Sequence, residues 1–238
     1  AKTFPAPTKA ANFGANNIAV ATSQFDRADQ LTGKFDHTFA EWWRANLSYL
    51  HYGSREPGEN WFGTVSSPAQ WLLARKVDAT QINNLFTLNS STVLSVRYGY
   101  NRFPNDNYQT SLGFNPATLG FASSYVAAQQ RPTFPNVTMQ TFSSLGVNNN
   151  QFDVYSSRNF MAGLSKFMGK HSLKMGFDYR RMRISGTTYG NNSGLFTFTD
   201  VFTRANAASA TAGTGSDLAS LLIGAPEAVE SFVGTQLY

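Results

Sequence analysis

Residues 30–49 read QLTGKFDHTFAEWWRANLSY, and their alternation decides the fold. Leu31, Gly33, Phe35, His37 and Phe39 form a mainly apolar set, interleaved with Gln30, Thr32, Lys34, Asp36 and Thr38. A period of two places successive side chains on opposite faces of a strand, so this run has one apolar and one polar face. After a short turn at Ala40 and Glu41 the pattern resumes, with Trp43, Ala45, Leu47 and Tyr49 on one face and Arg44, Asn46 and Ser48 on the other. The two runs predict a β-hairpin.

Two more hairpins follow. The second has an indistinct first arm over 77–86, a turn at Asn89, Ser90 and Ser91, and a clear second arm. In that arm Leu94, Val96, Tyr98 and Tyr100 alternate with Ser95, Arg97, Gly99 and Asn101. The third runs through Phe160, Ala162 and Leu164, turns at Met168, Gly169 and Lys170, and returns with Leu173, Met175, Phe177 and Tyr179 against Lys174, Gly176, Asp178 and Arg180. Met182 and Ile184 shift the alternation by one position, which predicts a β-bulge near Arg181. Further on, 195–199 predicts a short strand, 205–215 a loop of small residues, and 216–223 one or two helical turns. Ser216 or Asp217 would cap that helix and Gly224 would stop it. Residues 229–238 predict a seventh strand.

The connections between hairpins, 53–76 and 104–151, are long and rich in Pro, Asn, Ser and Gly. Structureless links much beyond about 12–15 residues are uncommon in compact soluble domains. A transmembrane β-barrel combines them with tight turns, the short ones at the periplasmic rim and the long ones outside. The expected fold is therefore all-β, an antiparallel transmembrane β-barrel represented by about seven strands of a larger one, with long extracellular loops. Composition agrees. Charged residues are 14% of the 238, against ~25% in soluble domains, and no apolar run approaches the roughly 18 residues of a spanning helix. An apolar fraction of 42% argues against disorder. The absence of cysteine rules out a disulfide scaffold and a Cys-ligated zinc site. The chain opens at Ala1 without a basic-then-apolar leader, so it reads as a piece of a longer protein.

Aromatic side chains are expected to mark the two membrane interfaces. Phe39, Trp42, Trp43, Phe86 and Phe167 lie near the short turns, and Tyr49, Tyr52, Tyr98, Tyr100, Phe177 and Tyr179 lie at the other strand ends. Between them, Leu31, Phe35, Leu47, Leu94, Val96, Leu173, Met175 and Phe177 are expected to face lipid. Arg55, Arg75, Lys76, Arg102, Arg180, Arg181 and Arg183 cluster at the long-loop ends and account for much of the +5 net charge. They are candidates for contact with lipopolysaccharide phosphates, since guanidinium binds phosphate bidentately; solvation or snorkelling is the alternative. Their spread over separate strands argues against nucleic acid as a partner.

No residues group into an active site. His37, His51 and His171 lack partners at metal-ligand spacing, there is no G-x-S-x-G elbow, and the Gly163 to Lys170 stretch misses the phosphate-loop spacing by one residue. Lys34 with Asp36, and Lys174 with Asp178, read as charge pairs filling a wet lumen. No catalytic residue, cofactor site or metal site is assigned, and an enzyme is not expected. Ligand contact is expected from loop aromatics able to stack on a polar organic ligand: Trp61, Phe62, Trp71, Tyr108, Phe114, Phe121, Tyr125 and Phe134.

The stretches GKHSLKMGFDYRR at 169–181, VLSVRYGYNRF at 93–103 and SDLASLLIGAP at 216–226 resemble the barrel of TonB-dependent outer-membrane receptors, the Oar-like subgroup above all. Residues 24–39 resemble an early barrel strand of that subgroup, with Asp29, Asp36, His37 and Phe39 matching a D-x-x-x-x-x-x-D-H-x-F pattern. The resemblance implies a plugged barrel of about 22 strands, with residues 1–238 forming part of its wall and the plug and remaining strands lying elsewhere. It implies ligand uptake across the cell outer membrane, powered through a TonB system that contacts other parts of the protein. A small passive porin or adhesin-type barrel and a secreted β-sandwich remain alternatives.

Overall fold

The computed structural model describes residues 4–10, 17–209 and 213–232. Its strands are β1 (Arg27–Ala40), β2 (Trp43–Pro57), β3 (Trp71–Asn89), β4 (Thr92–Gln109), β5 (Asn136–Met139), β6 (Asn150–Met168), β7 (His171–Thr188), β8 (Leu195–Phe198) and β9 (Ala228–Glu230). Two short helices, α1 (Ser123–Ala127) and α2 (Asp217–Leu222), lie in the connections. Six strands of 14 to 19 residues form one antiparallel sheet in the order β1-β2-β3-β4-β6-β7.

These strands are longer than the ten or so residues that the alternation marks. At about 3.3 Å per residue and a tilt near 40°, ten residues rise about 25 Å, the height of an outer-membrane apolar band. Beyond that height the outer face need not be apolar, so the alternation fades while the hydrogen-bond ladder continues. The long connections shrink accordingly to residues 58–70 and 110–149.

The same reasoning corrects the bulge expected near Arg181. β6 and β7 pair without interruption from Gln151 opposite Thr188 to Met168 opposite His171. With the ladder unbroken, Met182 and Ile184 lie on the face opposite Tyr179, so the apolar positions change faces there without any slip of the backbone. Register shifts occur instead beside two tight turns, at Thr38/Ala40 and Thr87/Asn89.

Directly paired residues share a face, so the register defines rows across the sheet. One row runs Phe35, Leu47, Ile82, Tyr98, Phe160 and Tyr179. All eight residues expected to meet lipid have the parity of this outer face. The intervening row Asp36, Asn46, Asn83, Arg97, Met161 and Asp178 lies on the inner face. Near the turns, Phe39 and Trp43 stack at 4.1 Å, and Phe86 lies 5.9 Å from Trp43. At the other end Tyr49, Tyr98, Tyr100 and Tyr179 share the outer face, whereas Tyr52, opposite Gln30, has the inner parity. Phe167 likewise has the inner parity, opposite Ser172. Phe177, opposite Ala162, sits one row below Tyr179.

The tight turns are built as expected. Asn89 Oδ1 accepts from the Ser91 N–H at 3.0 Å, and Gly169 takes φ 58°, which favours glycine. At the opposite rim the loops fold into a second body around β5, β8 and β9, with β5 and β8 parallel. Of the seventh strand expected at 229–238, Val229 and Glu230 fall in β9, which joins this body beside β8, where the Glu227 N–H already bonds the Thr197 carbonyl at 2.8 Å. Residues 233–238 lie outside the described residues, so the described wall has six strands. The buried cluster Phe134, Val137, Leu145 and Phe198 sits in the loop body, because the wall exposes both faces.

Candidate functional site

The inner face of β1 to β4 forms a concavity of about 610 Å³ lined by Asp36, Arg44, Asn46, Gln81, Asn83 and Arg97. Its side chains are linked laterally. Lys34 pairs with Asp36 at 3.1 Å, Asn83 Nδ2 donates to Asn46 Oδ1 at 2.6 Å, and Gln81 Nε2 donates to Asn83 Oδ1 at 2.8 Å. The pairing expected of Lys174 with Asp178 is not formed: four positions apart on one strand, their backbones are separated by about 13 Å. Both do share the inner face, opposite Ser165 and Met161. The surface suits a hydrated lumen, with hydrogen-bonding groups of both signs.

The loop body stands on the upper ends of β4 and β6. Gln109 Nε2 donates to Thr133 Oγ1 at 3.2 Å, the Thr133 N–H donates to Ser193 Oγ at 2.7 Å, and Ser193 Oγ donates to Gln129 Oε1 at 3.0 Å. Ser216 caps α2, accepting from the Ala219 N–H, and Gly224 takes φ 70° just past the helix. Asp217, 1% exposed, accepts from the Thr141 and Phe142 N–H groups and ties the helix to the preceding loop. Nearby, Arg204 donates to Asp200 Oδ1 at 2.6 Å, and this bond holds the Asp200 carboxyl below its ordinary pKa.

Five of the eight aromatics expected to meet a ligand gather in this body: Phe62, Phe114, Phe121, Tyr125 and Phe134. Phe134 is buried in its core, with Phe62 and Phe114 packed on that core. Phe121 stacks on Tyr125 at 5.2 Å and leans on Phe196 at 5.3 Å. Trp61 is exposed and donates to Glu59, while Trp71 and Tyr108 belong to β3 and β4, where Tyr108 stacks on Phe152 at 5.8 Å. An apolar cleft of about 860 Å³ opens in the body, lined by Phe121, Phe134, Val137, Phe142, Phe196 and Leu221 among others. Four of those six, Val137, Phe142, Phe196 and Leu221, were not among the expected ligand-contact residues, because no local pattern shows that their segments meet. Among the described residues, no three His, Asp or Glu side chains come together to hold a metal.

An amphipathic wall with aromatic belts, a polar concave face and tight turns opposite a loop body has one established setting. The family model described as "Outer membrane beta barrel domain" matches residues 1–238. The chain belongs to that family. No curated protein and no solved structure matches it. As an outer membrane beta barrel domain it resides in the cell outer membrane.

In this barrel domain the seven expected rim cations divide between the faces. Arg102, Arg181 and Arg183 have the outer parity, as do Arg55 and Lys76. Arg180, opposite Asn159, and Arg75 have the inner parity, and Arg75 is held by Glu56 through bonds of 2.8 and 3.0 Å. Lys76 pairs with Asp78 at 3.3 Å, and Asp78 also contacts His51 at 2.8 Å and Tyr49 at 2.9 Å. Sequence reading missed Arg158, which the register places on the outer face directly between Tyr100 and Arg181.

Proposed function

We propose that this barrel domain forms part of the wall of a TonB-dependent outer-membrane transporter of the Oar-like type, and that the full protein takes up a ligand through its lumen. The observation that carries the reading is the polar concave face. A barrel of about eight strands fills its interior with its own side chains, whereas wide barrels keep a hydrated or plugged lumen. The inner face of β1 to β4 already presents an open, hydrogen-bonding concavity, and β1 and β7 each have one unpaired edge among the described residues. Open edges are not tolerated within lipid, so the reading requires further strands on both sides. The resemblance at 93–103, 169–181 and 216–226 supplies the finer assignment. In this reading the wall and loops bind and guide the ligand, no catalytic step is involved, and energy enters through parts beyond this chain.

The test is uptake by cells expressing the full-length protein, with and without a protonophore and in a strain lacking TonB. Uptake that stops under both conditions supports the reading. Uptake that persists unchanged under both replaces it with a passive pore.

A further inference from the structure

Two rows of the outer face carry a cationic patch in which arginines outnumber carboxylates. In the first, Arg102 on β4 faces Ser156 on β6, which faces Arg183 on β7. In the row below, Tyr100 faces Arg158, which faces Arg181. All four guanidiniums are on exposed residues, and that of Arg158 lies 6.0 Å from the Tyr100 ring centroid. Like charges directly opposite across antiparallel strands have Cβ atoms about 4.5–5.5 Å apart and destabilise the pair. The sheet nevertheless sets Arg158 against Arg181, with Arg102 and Arg183 flanking a hydroxyl one row above.

The neighbouring strands show what neutralisation looks like at this height. Asp78 on β3 stands directly opposite Arg102, with its carboxylate oxygens engaged by Lys76, His51 and Tyr49. On the outer face of β4, β6 and β7 the one carboxylate above the patch is Asp106, shared electrostatically between Arg102 and Arg131. Asp178 has the inner parity. Height fixes what meets the patch. Thr92 to Arg102, Met168 back to Arg158, and His171 to Arg181 are ten positions each, or about 25 Å of rise at 3.3 Å per residue and a 40° tilt. That is the top of the apolar band, where Tyr100 of the tyrosine belt shares a row with Arg158 and Arg181 and where lipid headgroups begin.

We propose that Arg102, Arg158, Arg181 and Arg183, with the Ser156 hydroxyl, form a docking site for the phosphate groups of lipopolysaccharide in the outer leaflet. A phosphate seated over Ser156 accepts from the Arg102 and Arg183 guanidiniums, and a second relieves the repulsion between Arg158 and Arg181. The site rests on the outer-membrane location and is independent of whether the barrel transports anything.

The test compares the full-length protein with an Arg102→Gln/Arg158→Gln/Arg181→Gln/Arg183→Gln variant, and with an Arg158→Gln/Arg181→Gln variant in case the first fails to assemble. Lipopolysaccharide binding to the purified barrel is expected to fall about tenfold or more in both. Dephosphorylated lipopolysaccharide is expected to bind the parent as weakly as it binds the variants. An inner-face Arg97→Gln/Arg180→Gln variant should bind normally. A sign reversal in stability gives a second readout. Arg158→Gln should raise the denaturant midpoint in zwitterionic phospholipid, where the repulsion is unrelieved, and lower it when lipopolysaccharide is present. Equal binding of lipopolysaccharide by parent and variants, or of both lipid forms by the parent, overturns the site. So does displacement of the lipid by an equal phosphate concentration of inorganic phosphate, which would make it a free-anion site.

Discussion

Trp43 stacks on Phe39 across the first tight turn, with ring centroids 4.1 Å apart and planes 18° from parallel. The indole N–H of Trp43 is satisfied by Asn84 Oδ1 on the next strand at 3.1 Å, so the ring can lie at the membrane interface without an orphan donor. Aromatic pairs of this kind are worth about 0.5–1.5 kcal/mol beyond the area they bury. A double-mutant cycle with Phe39→Leu and Trp43→Leu, followed by denaturant unfolding in lipid vesicles, should return a coupling in that range. A coupling indistinguishable from zero would mean that the belt is two independent side chains.

The faces of β4 should respond to charge with opposite tolerance. Val96, opposite Ala162 and two positions past Leu94, lies on the outer face near the middle of the band. Val96→Arg is expected to cost about 2–4 kcal/mol, while Ser95→Arg, on the inner face, should leave stability nearly unchanged. Cysteines at Val96 and Met175 should react with a lipid-phase probe, and those at Ser95 and Lys174 with a water-soluble one. The reverse pattern would put the sheet in the wrong register.

Asp217 is expected to hold the loop body closed. Asp217→Ala removes the charge-assisted bonds that the Thr141 and Phe142 N–H groups make to a carboxylate on a residue only 1% exposed. A loss of about 2–3 kcal/mol in local stability follows. Hydrogen exchange at Thr141 and Phe142 should accelerate while the wall strands keep their protection. Unchanged exchange at both amides would show that the helix is held by packing alone.

Gly194 takes φ 89°, and a Cβ there would lie 2.5 Å from the Phe196 ring and 2.7 Å from Tyr125 Oη. Gly194→Ala should cost about 1–3 kcal/mol and make the loop body the first site of proteolytic cleavage. Equal protease resistance of parent and variant would show that the loop accommodates the methyl group.

The Asp200–Arg204 pair gives the loop body an acid limit. Because the Arg204 bond lowers the Asp200 pKa in the folded state, its contribution is fully present above the ordinary aspartate range. It is lost as pH falls through the lowered value. Protection factors around residues 200–204, corrected for intrinsic exchange, should therefore stay flat through neutral pH and fall only in acid, and Arg204→Gln should remove the fall. A change centred near neutrality would assign the transition to another group.

Legibility in the sequence followed the solvent. Within the membrane band each strand meets lipid on one side and water on the other, so Leu94 to Asn101 and Leu173 to Arg180 alternate strictly and the outer face could be read residue by residue. Above the band that contrast disappears. The upper reaches of β3 and β4 read as loop, and Met182 and Ile184 read as a slip. In the loop body the short strand at 195–199 and the capped helix at 216–223 were legible, but their packing was not, because contacts such as that of Phe121 with Phe196 join distant segments and no local period records them. Arg158 was overlooked for a related reason: alone in its strand it is an ordinary cation, and only the cross-strand register sets it against Arg181.

The loop body is joined by bonds that span the chain: Thr133 to Ser193 bridges 60 positions and Thr141 to Asp217 bridges 76. The wall hairpins close across tight turns. Loop-closure entropy therefore lets the hairpins zip early and makes the rim structure the last part to condense. Its segments are brought within reach only once β4, β6 and β7 stand in register, so a slip of one residue anywhere in those strands would leave the rim unbuilt. The crown of loops thus reports, at the cell surface, on the correctness of strand pairing buried in the bilayer below it.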